Sequence, residues 1–151
     1  MARYGMVIDT QKCIGCHVCA MACKVENNVP NDTWWNRILC DNGGEVDWDM
    51  VGGSYPDQLQ YGYFPMACQH CENPACVKVC PVGATYKDPE TGVVRQDYDK
   101  CIGCRMCMAA CPYTGVRSFN WDEPKYAIGQ AMGDADVPAH QKHVVEKCTM
   151  C

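Results

Sequence analysis

Cysteine is the residue type in this chain with the clearest chemical potential, because all but one of its 15 cysteines fall into four closely spaced motifs. The first three motifs hold four cysteines each, with two residues inside the first pair and three inside the last. Thiolates are soft ligands for iron, copper and zinc. The motifs are, in chain order, Cys13, Cys16, Cys19 and Cys23; Cys68, Cys71, Cys76 and Cys80; Cys101, Cys104, Cys107 and Cys111; and Cys148 and Cys151.

The spacing of the third motif, C-x2-C-x2-C-x3-C followed by Pro112, is typical of cysteines that bind 4Fe–4S clusters in bacterial two-cluster ferredoxins. A short loop brings three thiolates to one cubane, and Gly15 and Gly103 let the backbone approach the inorganic sulfides closely. The fourth cysteine lies one helical turn further on and binds the other cluster of the pair. The sequence therefore predicts 4Fe–4S clusters.

Disulfides, zinc and haem are the competing interpretations. The odd cysteine count, the close spacing and the lack of a signal peptide all disfavour disulfides. Zinc sites favour paired C-x2-C knuckles rather than triplets followed by x3-C-P. The string CIGCH at residues 13–17 matches a haem-attachment motif, but Cys19 and Cys23 continue the ferredoxin spacing.

The second and third motifs predict a complete inner ferredoxin unit over residues 66–120. Between them, residues 84–87 and 93–96 predict two strands, joined by a turn at 88–92 that contains Pro and Gly. We expect this unit to need nothing from beyond residue 120. By the fourth-ligand rule, the two predicted ligand sets are Cys68, Cys71, Cys76 with Cys111, and Cys101, Cys104, Cys107 with Cys80.

The first and fourth motifs predict an outer unit, from residues 1–30 and 144–151, with the inner unit nested inside it. Residues 4–9 predict a lead-in strand. The fold class would be α+β, with nested tandem two-cluster ferredoxin-like units and loop-rich inserts. The predicted outer ligand sets are Cys13, Cys16 and Cys19 for one cluster, and Cys23, Cys148 and Cys151 for the other.

Each outer set is one thiolate short, so four clusters need two more cysteines than the motifs supply. We therefore expect residues 1–151 to be a truncated portion of a longer subunit. The missing cysteines would follow Cys151 in a Cys-x3-Cys-Pro segment. Two clusters would have complete ligand sets within this chain.

Residues outside the motifs are interpreted as packing or surface. Residues 24–67 are rich in turns and aromatic residues, including Trp48, and would pack around the clusters, with a docking surface as the alternative. Residues 120–143 are polar and predict a surface loop. Cys40 would be a small buried residue rather than a ligand. His70 would be a packed or solvated histidine, with cluster tuning as the alternative.

Composition excludes several function classes. The net charge is −5 and the basic residues are scattered, which disfavours nucleic-acid binding. No apolar run reaches the roughly 18 residues of a membrane span. No catalytic triad, phosphate-binding loop or nucleotide fingerprint is present, so substrate chemistry would lie on a partner.

The strings CIGCHVCAMAC, CQHCENPACVKVCPVGA, CIGCRMCMAACPYTGV and EKCTMC resemble the four motifs of the iron-sulfur subunits of complex molybdoenzymes of the dimethyl sulfoxide reductase and polysulfide reductase type. The resemblance implies four 4Fe–4S clusters in a line between a molybdopterin catalytic subunit and a membrane quinone subunit. It also implies a full cubane at the third motif, because Cys104 stands where the nitrate reductase branch has an aromatic residue.

We therefore expect a non-catalytic electron-transfer subunit of an anaerobic respiratory oxidoreductase. It would assemble in the cytoplasm and associate with the membrane through its partners, on a side that the sequence leaves open. Two alternatives remain: the iron-sulfur subunit of a hydrogenase, formate dehydrogenase or nitrite-reduction quinol module, and a soluble polyferredoxin shuttle.

Replacing Cys71 or Cys104 with Ser should remove one inner cluster and weaken the other, because the two share crossed ligands through Cys80 and Cys111. Iron content and low-temperature EPR measure this. Cys40→Ala is the matched control and should keep every cluster. Full cluster content with unchanged spectra in the Ser variants would contradict the ligand prediction.

Overall fold

The computed structural model describes residues 4–40, 62–113, 115–126 and 132–150. Cys151 and residues 41–61, which include Trp48, lie outside these residues. Within them, no helix is long and apolar enough to cross a membrane. The described helices are α1 (Val18–Glu26), α2 (Ala75–Lys78) and α3 (Met106–Ala109), preceded by a 3₁₀ turn at Thr10–Lys12.

The described strands are short and pair two by two, as expected for the predicted α+β class. Each pair is antiparallel, β1 with β2, β3 with β4 and β5 with β6. The strands are β1 (Asn36–Cys40), β2 (Tyr63–Ala67), β3 (Thr85–Lys87), β4 (Val94–Gln96), β5 (Arg117–Phe119) and β6 (Val145–Lys147).

The β3–β4 hairpin confirms the strands predicted between the two inner motifs. Its turn is held by Asp88, whose carboxylate accepts hydrogen bonds from the Glu90 N–H at 2.9 Å and the Thr91 hydroxyl at 2.8 Å. Gly92 closes the turn with φ of 74°, a left-handed conformation that glycine adopts without steric cost. Local turn chemistry is therefore enough to define this hairpin.

The buried core is small and consists largely of cysteines and valines. One buried group is Cys23, Val29, Trp35 and Cys148. The other is Cys76, Val94, Cys107 and Val145. A core of this size leaves much of the folding free energy to be supplied by metal–ligand bonds, which is expected for a small metal-binding unit.

Val145 corrects the prediction that the inner unit needs nothing from beyond residue 120. It packs with Cys76 and Cys107, and its strand β6 pairs with β5. The physical reason is that β5 would otherwise leave its backbone hydrogen-bonding groups without a ladder. The segment predicted as the inner unit therefore pairs with a strand that lies before the fourth motif.

The lead-in strand predicted at residues 4–9 is wrong. This segment is irregular and exposed, and Val7 is 97% accessible. The N–H of Tyr4 reaches the carbonyl of Thr91 at 3.4 Å, but no ladder forms along the described segment. A short apolar segment favours a strand only where a neighbouring strand and a buried face are available.

The described parts of the polar stretch, residues 120–126 and 132–143, form a loop, as predicted, but the side chains of Asn120 and His140 are buried. His140 lies between the carboxylate of Glu146, 2.6 Å from Nδ1, and the carbonyl of Asn27, 2.8 Å from Nε2. An oxygen faces each ring nitrogen, which favours the doubly protonated imidazolium form of the ring. Burial alone would lower the pKa of His140, but the hydrogen bond to Glu146 raises it overall.

Glu146 is fully buried and also accepts hydrogen bonds from Trp35 Nε1 at 3.2 Å and from the Asn120 amide. The network therefore joins the end of α1, the segment before β1, and β6. It ties the segment that carries Cys148 to the segment that carries Cys23.

Replacing Trp35 with Phe should destabilise the protein by about 1–3 kcal/mol, because it leaves one oxygen of a buried carboxylate without its donor. Anaerobic differential scanning calorimetry of the cluster-loaded protein measures this as a lower melting temperature. Trp34→Phe is the matched control, since it keeps an aromatic ring beneath the Lys24 ammonium. Equal melting temperatures for the two variants would contradict the assigned role of the network.

Candidate iron-sulfur sites

The four cysteine motifs share one backbone feature. The residue immediately before the second cysteine of each motif is left-handed, with φ of 69° at Gly15, 41° at His70, 67° at Gly103 and 66° at Met150. Left-handed histidine and methionine are uncommon, so the surrounding structure must impose this conformation. The fourth motif, as far as it is described, therefore begins with the same turn as the other three.

Gly15 and Gly103 are required by close contacts as well as by backbone angle. A Cβ on Gly15 would lie 2.6 Å from the Tyr63 ring, and one on Gly103 would collide with the His143 carbonyl oxygen. After each glycine turn, a second left-handed residue, His17 or Arg105, leads into α1 or α3. The first and third motifs therefore have the same loop-to-helix geometry.

Two cavities in the inner part of the molecule are lined by four cysteines each. The fourth-ligand rule grouped the cysteines in the same way from spacing alone. One cavity is lined by Cys68, Cys71, Cys76 and Cys111, and the other by Cys80, Cys101, Cys104 and Cys107.

The two cavities are adjacent. Cys76 on α2 and Cys107 on α3 are both buried in the same apolar group, with Val94 and Val145. Each short helix carries the third cysteine of its motif into this group. Two redox groups held by these cavities would therefore be separated by little more than side chains.

Backbone N–H groups stabilise the thiolate form of Cys80. The Thr85 N–H donates to Cys80 Sγ at 3.4 Å. Burial would raise the pKa of Cys80, but hydrogen bonds from Thr85, Val82 and Ala84 lower it overall. A thiolate is the form that binds metal. The pKa of Cys107 and that of Cys111 are instead raised by burial, which metal binding would have to overcome.

The first and fourth motifs meet through Cys23 and Cys148. Both are buried in the group around Trp35, and Cys68 of the inner unit packs against the same group. The Met150 N–H donates to Cys148 Sγ at 3.3 Å. Cys151, the third predicted member of this set, lies outside the described residues.

The other predicted outer set lies at the surface. Cys13 is half-buried, and Cys16 and Cys19 are exposed, on the loop before α1 and on its first turn. The Tyr63 ring covers the loop at Gly15. Cys16 and Cys19 are therefore, together with Cys104 of the third motif, the exposed predicted ligands among the described residues.

The residues present fit 4Fe–4S clusters. Each inner cavity offers four thiols, two motif loops have glycine where a Cβ would collide, and N–H groups point at two of the sulfurs. Among the described residues, no three Cys, His, Asp or Glu side chains converge closely enough to hold a single metal ion. A cubane is larger than one ion, and its four iron corners bind thiolates that stand further apart.

Cys40 is half-buried in β1, opposite Tyr63 in β2, and lines neither four-cysteine cavity within the described residues. His70 is a packed histidine, as the simpler interpretation predicts. Its Nδ1 accepts the Val94 N–H at 3.0 Å, and burial lowers its pKa to about 4, so the ring is neutral. Its Nε2–H is buried without a hydrogen-bond partner in the described part of the chain.

Sequence reasoning missed the buried charged residues of β5 and β6. Arg117, Glu146 and Lys147 are each at most 5% exposed. Charged residues are usually at the surface, so their types pointed away from the core. Adjacency to Cys148 is the one signal that could have drawn attention to Lys147.

Comparison with known proteins supports the cluster prediction. Residues 59–129 match the family of 4Fe-4S dicluster domains, and residues 4–25 match the family of 4Fe-4S binding domains. These matches confirm 4Fe–4S clusters as the cofactor type. They also show that the α+β fold is ferredoxin-like.

Curated relatives match the chain over almost its entire length. They include a dimethyl sulfoxide reductase iron-sulfur subunit of Halobacterium salinarum, 53% identical over 100% of this chain and 57% of its own. The menaquinone reductase iron-sulfur cluster-binding subunit of Nitratidesulfovibrio vulgaris is 42% identical over 99% of this chain and 58% of its own. The chain thus spans little more than half the length of these two relatives.

A third relative is covered more fully. It is one of the polypeptides of the anaerobic dimethyl sulfoxide reductase of Escherichia coli, and it is 39% identical over 98% of this chain and 70% of its own length. Two of these relatives are dimethyl sulfoxide reductase subunits, the group of proteins that the four motif strings resemble. The chain therefore belongs to the family of iron-sulfur subunits of dimethyl sulfoxide reductase and related molybdoenzymes.

Proposed function

We propose that this protein relays single electrons through 4Fe–4S clusters between a quinone-linked membrane subunit and a molybdopterin catalytic subunit of an anaerobic respiratory oxidoreductase. A cubane supplies reversible one-electron transfer at a potential that the protein sets. The chain itself binds the clusters, holds them close together and excludes water. It carries out no substrate chemistry.

In the inner unit, residues 66–120, each cluster would be bound by three cysteines of one motif and the last cysteine of the other. The supporting observation is that each four-cysteine cavity combines three cysteines of one motif with the last cysteine of the other. One cubane would be held by Cys68, Cys71, Cys76 and Cys111, and the other by Cys80, Cys101, Cys104 and Cys107.

The outer unit, residues 1–30 with 144–151, would hold two further clusters in a nested arrangement. Burial of Cys23 beside Cys148 supports this pairing. Cys151 would join them on one cluster, and Cys13, Cys16 and Cys19 would hold the other. The intact subunit would then carry four clusters.

The observation that best supports the relay is that the cysteine groups are in contact with one another. Cys68 both lines an inner cavity and packs against the group of Cys23 and Cys148. Cys76 and Cys107 join that cavity to the second one. Packing contacts therefore run without interruption from the outer unit through both inner cavities, which a set of independent structural metal sites would not require.

The names of the relatives support the proposed partners. They describe subunits of reductases that act on dimethyl sulfoxide, menaquinone and arsenate. A chain that only transfers electrons needs a catalytic subunit and an electron donor. We expect it to associate with the membrane through those partners.

The purified protein should be brown and oxygen-sensitive, and dithionite should reduce it. It should not turn over dimethyl sulfoxide or a similar oxidant until a molybdopterin subunit is added, because the chain offers no substrate site of its own. Anaerobic visible and EPR spectroscopy, with a substrate assay, checks this. Substrate reduction by the isolated chain would refute the proposal, and a colourless metal-bound protein would identify a zinc module instead.

In the assembled complex, Cys71→Ser should lower quinol-linked activity at least tenfold and spare dye-driven activity of the catalytic subunit. The reason is that a dye can reduce the catalytic subunit directly, whereas quinol must use the cluster chain. Cys40→Ala is the matched control and should leave both activities unchanged. Equal quinol-linked rates in the two variants would show that electrons bypass the inner clusters.

A further inference from the structure

Two buried cations face each other across the β5–β6 pair. Arg117 and Lys147 are directly opposite in the register, and they are 5% and 1% exposed. Like charges directly opposite on neighbouring strands repel each other. Burial of either charge is costly unless a group of opposite sign lies nearby. An anionic partner is therefore required on this face.

The described protein groups do not supply that partner. Arg117 Nη1 donates to the Gln96 amide oxygen at 3.4 Å, and Lys147 Nζ donates to the Cys148 carbonyl at 2.6 Å, but both acceptors are neutral. Arg117 Nη2 is buried without a hydrogen-bond partner among the described residues. The nearby buried carboxylate, Glu146, is already occupied by His140, Trp35 and Asn120.

Both cations lie beside the cysteine groups. Arg117 lines the cavity of Cys68, Cys71, Cys76 and Cys111, and its charge lowers the pKa of Cys111 against the effect of burial. Lys147 directly precedes Cys148 and lies on the same face of β6 as Val145, which packs with Cys76. The neighbouring His70 is neutral and adds no charge.

We propose that Arg117 and Lys147 are the counter-charge of the cluster held by Cys68, Cys71, Cys76 and Cys111, and that they raise its reduction potential. This inference rests on the proposed function. Four thiolates give a cubane net negative charge, and each one-electron reduction adds another negative charge without breaking a bond. A fixed cation at short range favours the reduced state, and burial strengthens the effect because the local dielectric is low.

Arg117 and Lys147 would act on the cluster through their charge, without contacting substrate. Arg117 remains charged at any physiological pH. Its unpartnered Nη2–H offers a hydrogen bond toward a sulfur of the cluster as well as a charge. Charge and hydrogen bonding are the two means by which a protein sets the potential of a cubane.

The test is an EPR-monitored redox titration of the native, anaerobically purified protein with its accompanying subunits. The variants are Arg117→Met, Arg117→Lys and Lys147→Met. Buried cations tolerate replacement by apolar residues of similar shape better than truncation, so the Met variants should fold. Lys142→Met is the control, because it removes an exposed lysine paired with Glu123.

Each Met variant should make reduction of one cluster at least tenfold less favourable, which is about 59 mV for one electron. The signal affected should be the one that disappears in Cys71→Ser. Arg117→Lys should retain most of the potential, since it keeps the charge. Lys142→Met should leave every potential unchanged.

Unchanged potentials in both Met variants, with iron content intact, would overturn the inference while leaving the electron relay standing. Loss of the cluster from both Met variants would also overturn it, because the pair would then serve assembly rather than potential. A native protein without any 4Fe–4S signal would instead refute the proposed function itself. Iron and sulfide assays on each variant separate these outcomes.

Discussion

The structure depends on the last cysteine of each inner motif lying beside the loop of the other motif. Cys111 lines the cavity of the second motif, and Cys80 lines that of the third. Neither cavity can close until both motifs and the hairpin between them are in place. The described sheets are accordingly small, with two strands each, and they hold cysteine loops in register rather than build a large apolar core.

Two of the cysteine loops contain strained backbone conformations. His70 and Met150 occupy left-handed conformations that cost on the order of 1–3 kcal/mol in a residue other than glycine. The same turn places the Met150 N–H on Cys148 Sγ. A loop that encloses a sulfur-rich group needs its N–H groups directed inward, and that requirement outweighs the preference of the individual side chain.

The cysteine spacing groups the residues in the same way as the linings of the two cavities, because the motif repeats with nearly the same number of residues between its cysteines. The β3–β4 hairpin could also be predicted, because Asp88 and Gly92 are typical turn residues and form its turn. The strand predicted at residues 4–9 is wrong because a short apolar segment does not by itself provide a neighbouring strand. The β1–β2 pair was missed because its strands lie far apart in a segment that reads as turns.

The buried polar and charged residues could not be predicted from the sequence. His140 and Glu146 form a closed network across three segments, and a histidine in a polar loop gives no sign of this. Arg117 and Lys147 read as surface residues because burial of a charge is normally unfavourable. Their burial is the observation from which we propose an anionic cluster as their counter-charge.

Strand β6 has no solvent face, because Val145, Glu146 and Lys147 are all buried. A shift of its pairing by one residue, about 3.4 Å, would turn every side chain to the opposite side. The Glu146 carboxylate would then face the thiolates, and the Lys147 ammonium would face the imidazolium of His140. Both sides would carry the wrong sign of charge, so the position of Cys148 is fixed electrostatically as well as by the hydrogen-bond ladder.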